Sequence, residues 1–272
     1  MKTKVITKNT SNFLRYLIDN NKPYFTKQDT ENYFLDASSA YVQSFLQELV
    51  ERQLTFRLKK GLYMIIPYYL MEKEFFPNSY LTAKALTGSN DYYLGYCSAL
   101  QIHGLLETPS LKQHIALKNQ MMPNFIEIKG MEYQLISHKK KLFYGFETIW
   151  IEYLNHMYQV RCSDFEKTIL DMVNRPKYVG GIQVAAKIIS KAKNRIDFSK
   201  LLDYIKQSNI QAVIKRLGYL LEVLEIETPI TSELQSLISP SYIPLDSSKD
   251  RKGKTISKWN IQINSSLQFE AL

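Results

Sequence analysis

The chain has 272 residues, of which 45% are hydrophobic and 22% charged, and carries a formal net charge of +9, with an isoelectric point near 9.2. That length suits two domains better than one small module, and the apolar content supports real cores, which excludes a globally disordered chain. The basic balance favours a polyanionic partner, nucleic acid or an anionic membrane, although charge alone does not choose between these and no such partner.

The first apolar pattern predicts a short amphipathic helix over Ser11–Asn21, with Phe13, Leu14, Leu17 and Ile18 on one face. Pro23 forces extended chain through Tyr24 and Phe25. Thr26 then fits the N-cap of a second helix, with Asp29 three residues on, near the positive helix end. Leu35-Asp36-Ala37-Ser38 is a turn, and Ser38–Arg52 predicts a third helix. Val42, Phe45, Leu46, Leu49 and Val50 form its buried stripe. A rotation of about 100° per residue puts Ala40, Ser44, Gln47 and Glu51 opposite, with Gln43 on one flank and Tyr41 and Glu48 on the other. Leu54–Leu58 and Leu62–Ile66 predict two strands joined by Lys59-Lys60-Gly61, and Pro67 ends the pairing. Three helices followed by a hairpin is the order of a winged helix-turn-helix, assigned to residues 1–75.

From residue 78 the pattern changes. Ser79–Leu86 and Tyr96–Leu106 read as helices, separated by Gly88-Ser89-Asn90. Short strands follow at Gln113–Leu117, Phe125–Ile128, Tyr133–Ile136, Thr148–Glu152 and Tyr158–Arg161. Ser163 and Glu166 match a capping box that opens a helical block. Further helices are marked by Ile182–Ala192, by Leu201, Leu202 and Ile205, by Val213 to Leu224 at helical spacing, and by Leu234 to Ile238. Tyr242–Leu245 and Trp259–Ile263 read as closing strands around the basic loop Lys249–Lys254. Strands in one block and helices in the next predict an α+β fold: a winged helix-turn-helix, then a larger mixed domain over 78–272 with a mostly antiparallel sheet and a helical C-terminal part.

The residues point to recognition rather than catalysis. Small polar side chains on the exposed face of the third helix can approach base edges in the major groove, where Gln pairs with adenine and Ser with several bases. Arg57, Lys59 and Lys60 around the turn suit phosphates or the minor groove. Winged helices also serve as protein-interaction modules, so an interaction scaffold stays open. A second alternative is a nucleic-acid-processing enzyme, since Asp164, Glu166 and Asp171 form the tightest carboxylate cluster and such groups hold magnesium in nucleases. Carboxylates in a first helical turn also simply favour the dipole. The four histidines show no paired ligand spacing, Gly180-Gly181 lacks the rest of a phosphate loop, and no nucleophile elbow is present. No catalytic residue, metal or cofactor is therefore expected. Met1–Thr10 has no apolar signal core, and the richest apolar stretch, Leu62–Leu70, is short and broken by Pro67, so no membrane span is expected. Cys97 and Cys162 are too few and too separated for a disulfide framework or zinc site, which suits a cytoplasmic chain.

The stretch SSAYVQSFLQELVERQLTFRLKKGLYMIIP at Ser38–Pro67 resembles the N-terminal winged-helix region of AbiEi-family antitoxins. YYLGYCSALQIHGLLE resembles the segment after the wing in that family, and CSDFEKTILDMVNRPKYVGGI its central domain. KRLGYLLEVLE and YIPLD are also similar to it. The resemblance spans most of the chain and is carried by structural residues; it weakens after Lys249. It implies a type IV toxin–antitoxin (abortive infection) system for phage defence, in which the winged helix represses its own operon. The C-terminal domain would counter an AbiEii-like nucleotidyltransferase toxin, with or without direct contact. Carried onto this chain, the DNA-binding positions implied are Ser39, Tyr41, Gln43, Ser44 and Gln47 on the third helix, with Arg57, Lys59 and Lys60 at the wing. The partners implied are double-stranded operator DNA, bound by a dimer or a cooperative pair on inverted repeats, and the cognate toxin.

Overall fold

The computed structural model describes residues 4–88 and 91–267; Met1–Thr3 of the N-terminal segment, Ser89-Asn90 of the expected break and residues 268–272 of the tail lie outside the described residues. Two compact units are present. One holds the described residues up to Tyr92 together with Ile126–Glu132 and Thr148–Val160. The other holds Tyr93–Phe125, Tyr133–Glu147 and the described residues from Arg161 on. The fold is α+β, with antiparallel pairing in its sheets and helices gathered toward the C-terminus.

In the first unit, α1 (Lys8–Asp19) starts before the expected Ser11 because the Thr7 hydroxyl accepts the Thr10 N–H and caps it. Pro23 leads into β1 (Tyr24–Thr26), a short strand rather than a bare extended link. α2 (Lys27–Tyr33) has the Thr26–Asp29 capping box in full, each side chain accepting the other's backbone N–H. α3 (Ser39–Glu51) is capped by Ser38 and buries Val42, Phe45, Leu46 and Leu49, four of the five residues of the stripe read from its spacing, while Val50 at its end is half-buried. These meet Phe13, Leu17, Phe25, Leu54 and Ile65 in one core. Phe13 is at its centre, 5.3 Å from the Phe25 ring and 5.5 Å from Phe45, both edge-on. Burying each such side chain stabilises by about 1.5–3 kcal/mol, so packing more than helix propensity holds these short helices.

β2 (Thr55–Lys59) and β3 (Leu62–Ile65) form an antiparallel hairpin, and β1 pairs on the far side of β3, giving the order β1-β3-β2. Gly61 turns the chain at φ +75°. β2 begins one residue later than the periodicity suggests, since Gln53 takes φ +57° and Leu54 drops into the core. α4 (Ser79–Thr87) follows, with Asn78 accepting from the Tyr80 and Leu81 N–H groups.

In the remainder, β4 (Tyr92–Leu94) and α5 (Tyr96–Ile102) precede β5 (Lys112–Leu117), β6 (Phe125–Ile128), β7 (Met131–Ser137), β8 (Phe146–Tyr153) and β9 (His156–Ser163). Six strands form one sheet in the order β6-β7-β5-β4-β9-β8. β4 was hidden from the periodicity because a three-residue run buried on both faces does not alternate. It pairs in parallel with β9 through Leu94 and Cys162. α5 stops at Ile102, short of the expected Leu106, because Gly104 takes φ +69°.

The helical block is α6 (Phe165–Asn174), α7 (Ile182–Ala192), α8 (Phe198–Ser208), α9 (Gln211–Val223) and α10 (Ile230–Ser236), around one large apolar core. The cap of α6 is Asp164, not Ser163: the Asp164 carboxylate accepts the Lys167 N–H at 2.9 Å, while the Ser163 hydroxyl lies 2.7 Å from that of Thr168. A carboxylate one residue closer to the free N–H groups outcompetes the hydroxyl. The tail closes as three two-residue strands, β10 (Ile243–Pro244), β11 (Thr255–Ile256) and β12 (Ile261–Gln262), with β12 between the other two. Trp259, Leu245 and Ile261 enter the helical core fully buried.

Candidate nucleic-acid interface

The outward face of α3 follows from its buried stripe. With Val42, Phe45, Leu46 and Leu49 inward, Ser39, Tyr41, Gln43, Ser44 and Gln47 are all exposed. Between this face and the β2–β3 hairpin lies a hollow of about 740 Å³, whose rim carries Lys27, Gln43, Gln47, Glu51, Arg57 and Lys60. Four of the expected positions, Gln43, Gln47, Arg57 and Lys60, are thus brought to one place by two successive elements, α3 and the β2–β3 hairpin. The side chains of Gln43, Ser44, Arg57 and Lys60 make no hydrogen bond or ion pair among the described residues. Three cations against one carboxylate make the hollow net positive, and its amides offer paired donors and acceptors.

The other expected positions are placed differently. The Ser39 hydroxyl accepts the Lys27 ammonium at 2.9 Å. Tyr41 borders a separate hollow at the α2–α3 turn and stands edge-on to Phe34 at 5.5 Å. Lys59 turns from the hairpin tip and donates to the Leu86 carbonyl at 3.1 Å, near the C-terminus of α4. Its partial burial pulls the ammonium below the ordinary lysine range. Strict alternation would put Arg57 and Lys59 on one face, but the register slips between them: Arg57 faces Tyr63 and Lys59 faces Leu62. Lys27 was missed by the sequence reading. Its signal is its place as first residue of α2 after the Thr26 cap, and it also pairs with Glu31 at 3.3 Å.

The three carboxylates of the expected cluster, Asp164, Glu166 and Asp171, are each occupied. Asp164 caps α6, accepts the Tyr204 hydroxyl at 2.6 Å and lies 3.2 Å from the Lys200 ammonium, which also meets Glu166 at 2.9 Å. Asp171 pairs one turn back with Lys167, both fully buried, and accepts the Tyr93 hydroxyl at 2.8 Å. The Lys167 ammonium also donates to that hydroxyl at 3.2 Å. His138 completes the network, its Nε2 3.0 Å from the Tyr96 hydroxyl. Burial, reinforced by Lys167 and Arg175 against the opposing pull of Asp171, lowers its pKa to about 4, so the ring is neutral. No group of three or more His, Cys, Asp or Glu among the described residues is arranged to hold a metal ion. Nor is any described helix long and apolar enough to cross a membrane.

No family model matches the chain, and no curated protein matches it. Among solved structures, the crystal structure of RV2827C protein from Mycobacterium tuberculosis is similar, with 13% sequence identity, a TM-score of 0.61 and coverage of 94% of this chain and 92% of that one. At that identity the likeness speaks for the fold alone.

Proposed function

We propose that residues 1–75 form a winged helix-turn-helix that binds duplex operator DNA, and that the chain is the antitoxin and autorepressor of a type IV toxin–antitoxin system. The observation that carries the DNA half is the convergence of unpaired Gln43, Arg57 and Lys60 with Gln47 around one hollow. These cations and amides lie together on the outward face of α3 and the hairpin, with a net positive charge, which is the footprint a polyanion recognises. In this reading α3 enters the major groove, Gln43, Ser44 and Gln47 face base edges, and Arg57, Lys60 and Lys27 meet phosphates. The antitoxin half is supported by the resemblance of Ser38–Pro67, Cys162–Ile182 and Lys215–Glu225 to AbiEi-family antitoxins. It makes the partner an AbiEii-like nucleotidyltransferase, countered without catalysis by this chain.

The test is fluorescence anisotropy with the duplex upstream of the chain's own gene against a scrambled duplex, over a salt series. Promoter-selective binding whose salt slope falls by about two in Arg57→Ala/Lys60→Ala is the expected result. Binding indifferent to sequence, salt and these substitutions would remove the segment from DNA and turn the search to a protein partner. For the second half, co-expression of this chain should relieve the growth arrest caused by a nucleotidyltransferase encoded beside it.

A further inference from the structure

Glu51 is out of place on a surface meant for phosphates. It sits on the rim of the hollow with Gln43, Gln47, Arg57 and Lys60, at the C-terminal end of α3, where the helix dipole also disfavours a negative charge. One of its contacts lies within the helix. The Gln47 amide donates from Nε2 to Glu51 Oε1 at 2.9 Å, one turn on. A glutamine amide can be turned either way round, presenting oxygen where nitrogen was, and a free one samples both. A carboxylate only accepts, so it holds the NH₂ end toward itself and leaves one N–H and the amide oxygen for another partner.

We infer that Glu51 is a positioning residue that fixes the amide of Gln47 for reading adenine in the major groove. Resting on the DNA-binding reading above, this assigns an acidic residue to specificity at the expense of affinity. Adenine offers an acceptor at N7 beside a donor at N6, the pattern a held amide matches with its N–H and C=O together. Guanine offers two acceptors there and leaves the amide oxygen facing an acceptor. Gln43, whose amide has no partner among the described residues, is not held in this way.

The test uses the full chain and a set of duplexes covering the DNA upstream of its gene, with each base pair replaced in turn, beside one random duplex. Glu51→Ala should relax selectivity about five- to ten-fold at the same base pair that Gln47→Ala relaxes. It should also bind the random duplex more tightly than the wild type does, because a negative charge has gone. The double variant should be no less selective than Gln47→Ala alone, since both act through one amide. Glu51→Gln removes the charge and offers either end of an amide to Gln47, so it should relax the base preference at that same base pair and share the tighter general binding. If Glu51→Ala strengthens binding to every duplex alike and leaves the base profile unchanged, Glu51 acts by charge only and the positioning role is overturned. If the wild-type chain itself shows no base profile, the interface fails and the role falls with it, an outcome visible before any variant is compared.

Discussion

Two short stretches of this chain read almost alike and end in opposite places. Leu58-Lys59-Lys60-Gly61-Leu62-Tyr63 and Ile214-Lys215-Arg216-Leu217-Gly218-Tyr219 both set two cations beside a glycine and a tyrosine. In the first, the glycine turns a hairpin, a Cβ on it would meet nothing within 4 Å, and Lys60 reaches solvent. In the second, the glycine lies inside α9, where a Cβ would come within 1.9 Å of Trp259, and both cations are buried. Lys215 donates to the Ser239 hydroxyl at 3.0 Å and to the Ser241 carbonyl. Arg216 spends its guanidinium on the carbonyls of Pro244, Val173 and Asn174, at 3.1 Å, 3.1 Å and 2.9 Å. The lesson is that a cation's partner is set by the element that carries it. On a hairpin tip it is available to a ligand, whereas on a buried helix face it is a clamp that fastens the tail to the core. Basic charge summed over the sequence mixes the two.

The clamp is where the comparison should break hardest. Burial already draws the Arg216 guanidinium down to about 10, so its carbonyls repay a real desolvation cost. Arg216→Ala leaves three carbonyls without their donor and opens a cavity, which should destabilise the chain by about 3 kcal/mol or more, read as a drop in the urea unfolding midpoint. The buried His138 gives an effect of similar size through pH. Its ordinary value of 6.5 falls to about 4 in the fold, so the unfolded chain takes up a proton the folded chain refuses. Stability from this site is complete above about pH 6.5 and is lost as pH falls toward 4, by on the order of 3 kcal/mol. The urea midpoint should decline between pH 6.5 and pH 4.5 in the wild type and less steeply in His138→Gln. Gly218→Ala comes next. The new methyl must displace the Trp259 ring, whose Nε1 donates to Glu222 at 2.7 Å. The expected loss is about 1–3 kcal/mol, with altered Trp emission.

These sites also mark what the sequence could and could not disclose. Helical spacing revealed the stripe of α3, the full extent of α7 and the Thr26–Asp29 cap, because the interactions involved span four residues or fewer. The hollow beside α3 was half legible: Gln43, Gln47, Arg57 and Lys60 could be named, but Lys27 joins them only through the placing of α2. What stayed hidden depends on distant partners or on broken regularity. The tail after Lys249 read as a basic loop and a closing strand over Trp259–Ile263, but the fit of Trp259 against Gly218 across 41 residues is a match no local pattern signals. The buried pair of Asp171 with Lys167 was open to reading at a spacing of four. Its neighbours Tyr93 and His138 come from other strands and loops, and they turn a possible metal ligand into part of a closed network.

The finest test sets two adjacent lysines against each other. Lys59 and Lys60 are equal in sequence terms, and both were expected at the wing. The slip in register after Arg57 parts them, sending the Lys59 ammonium to the Leu86 carbonyl and leaving Lys60 without a partner among the described residues. A cation on the last carbonyls of a helix opposes its negative end, so Lys59→Ala should cost about 0.5 kcal/mol of stability and leave the salt dependence of DNA binding unchanged. Lys60→Ala should do the reverse, lowering the salt slope by about one with no measurable change in unfolding midpoint. Paired urea and anisotropy titrations read both quantities on the same samples. Equal loss of salt slope in the two variants would mean that Lys59 leaves Leu86 for phosphate when DNA binds. The hairpin would then behave in the complex as simple alternation in β2 predicts.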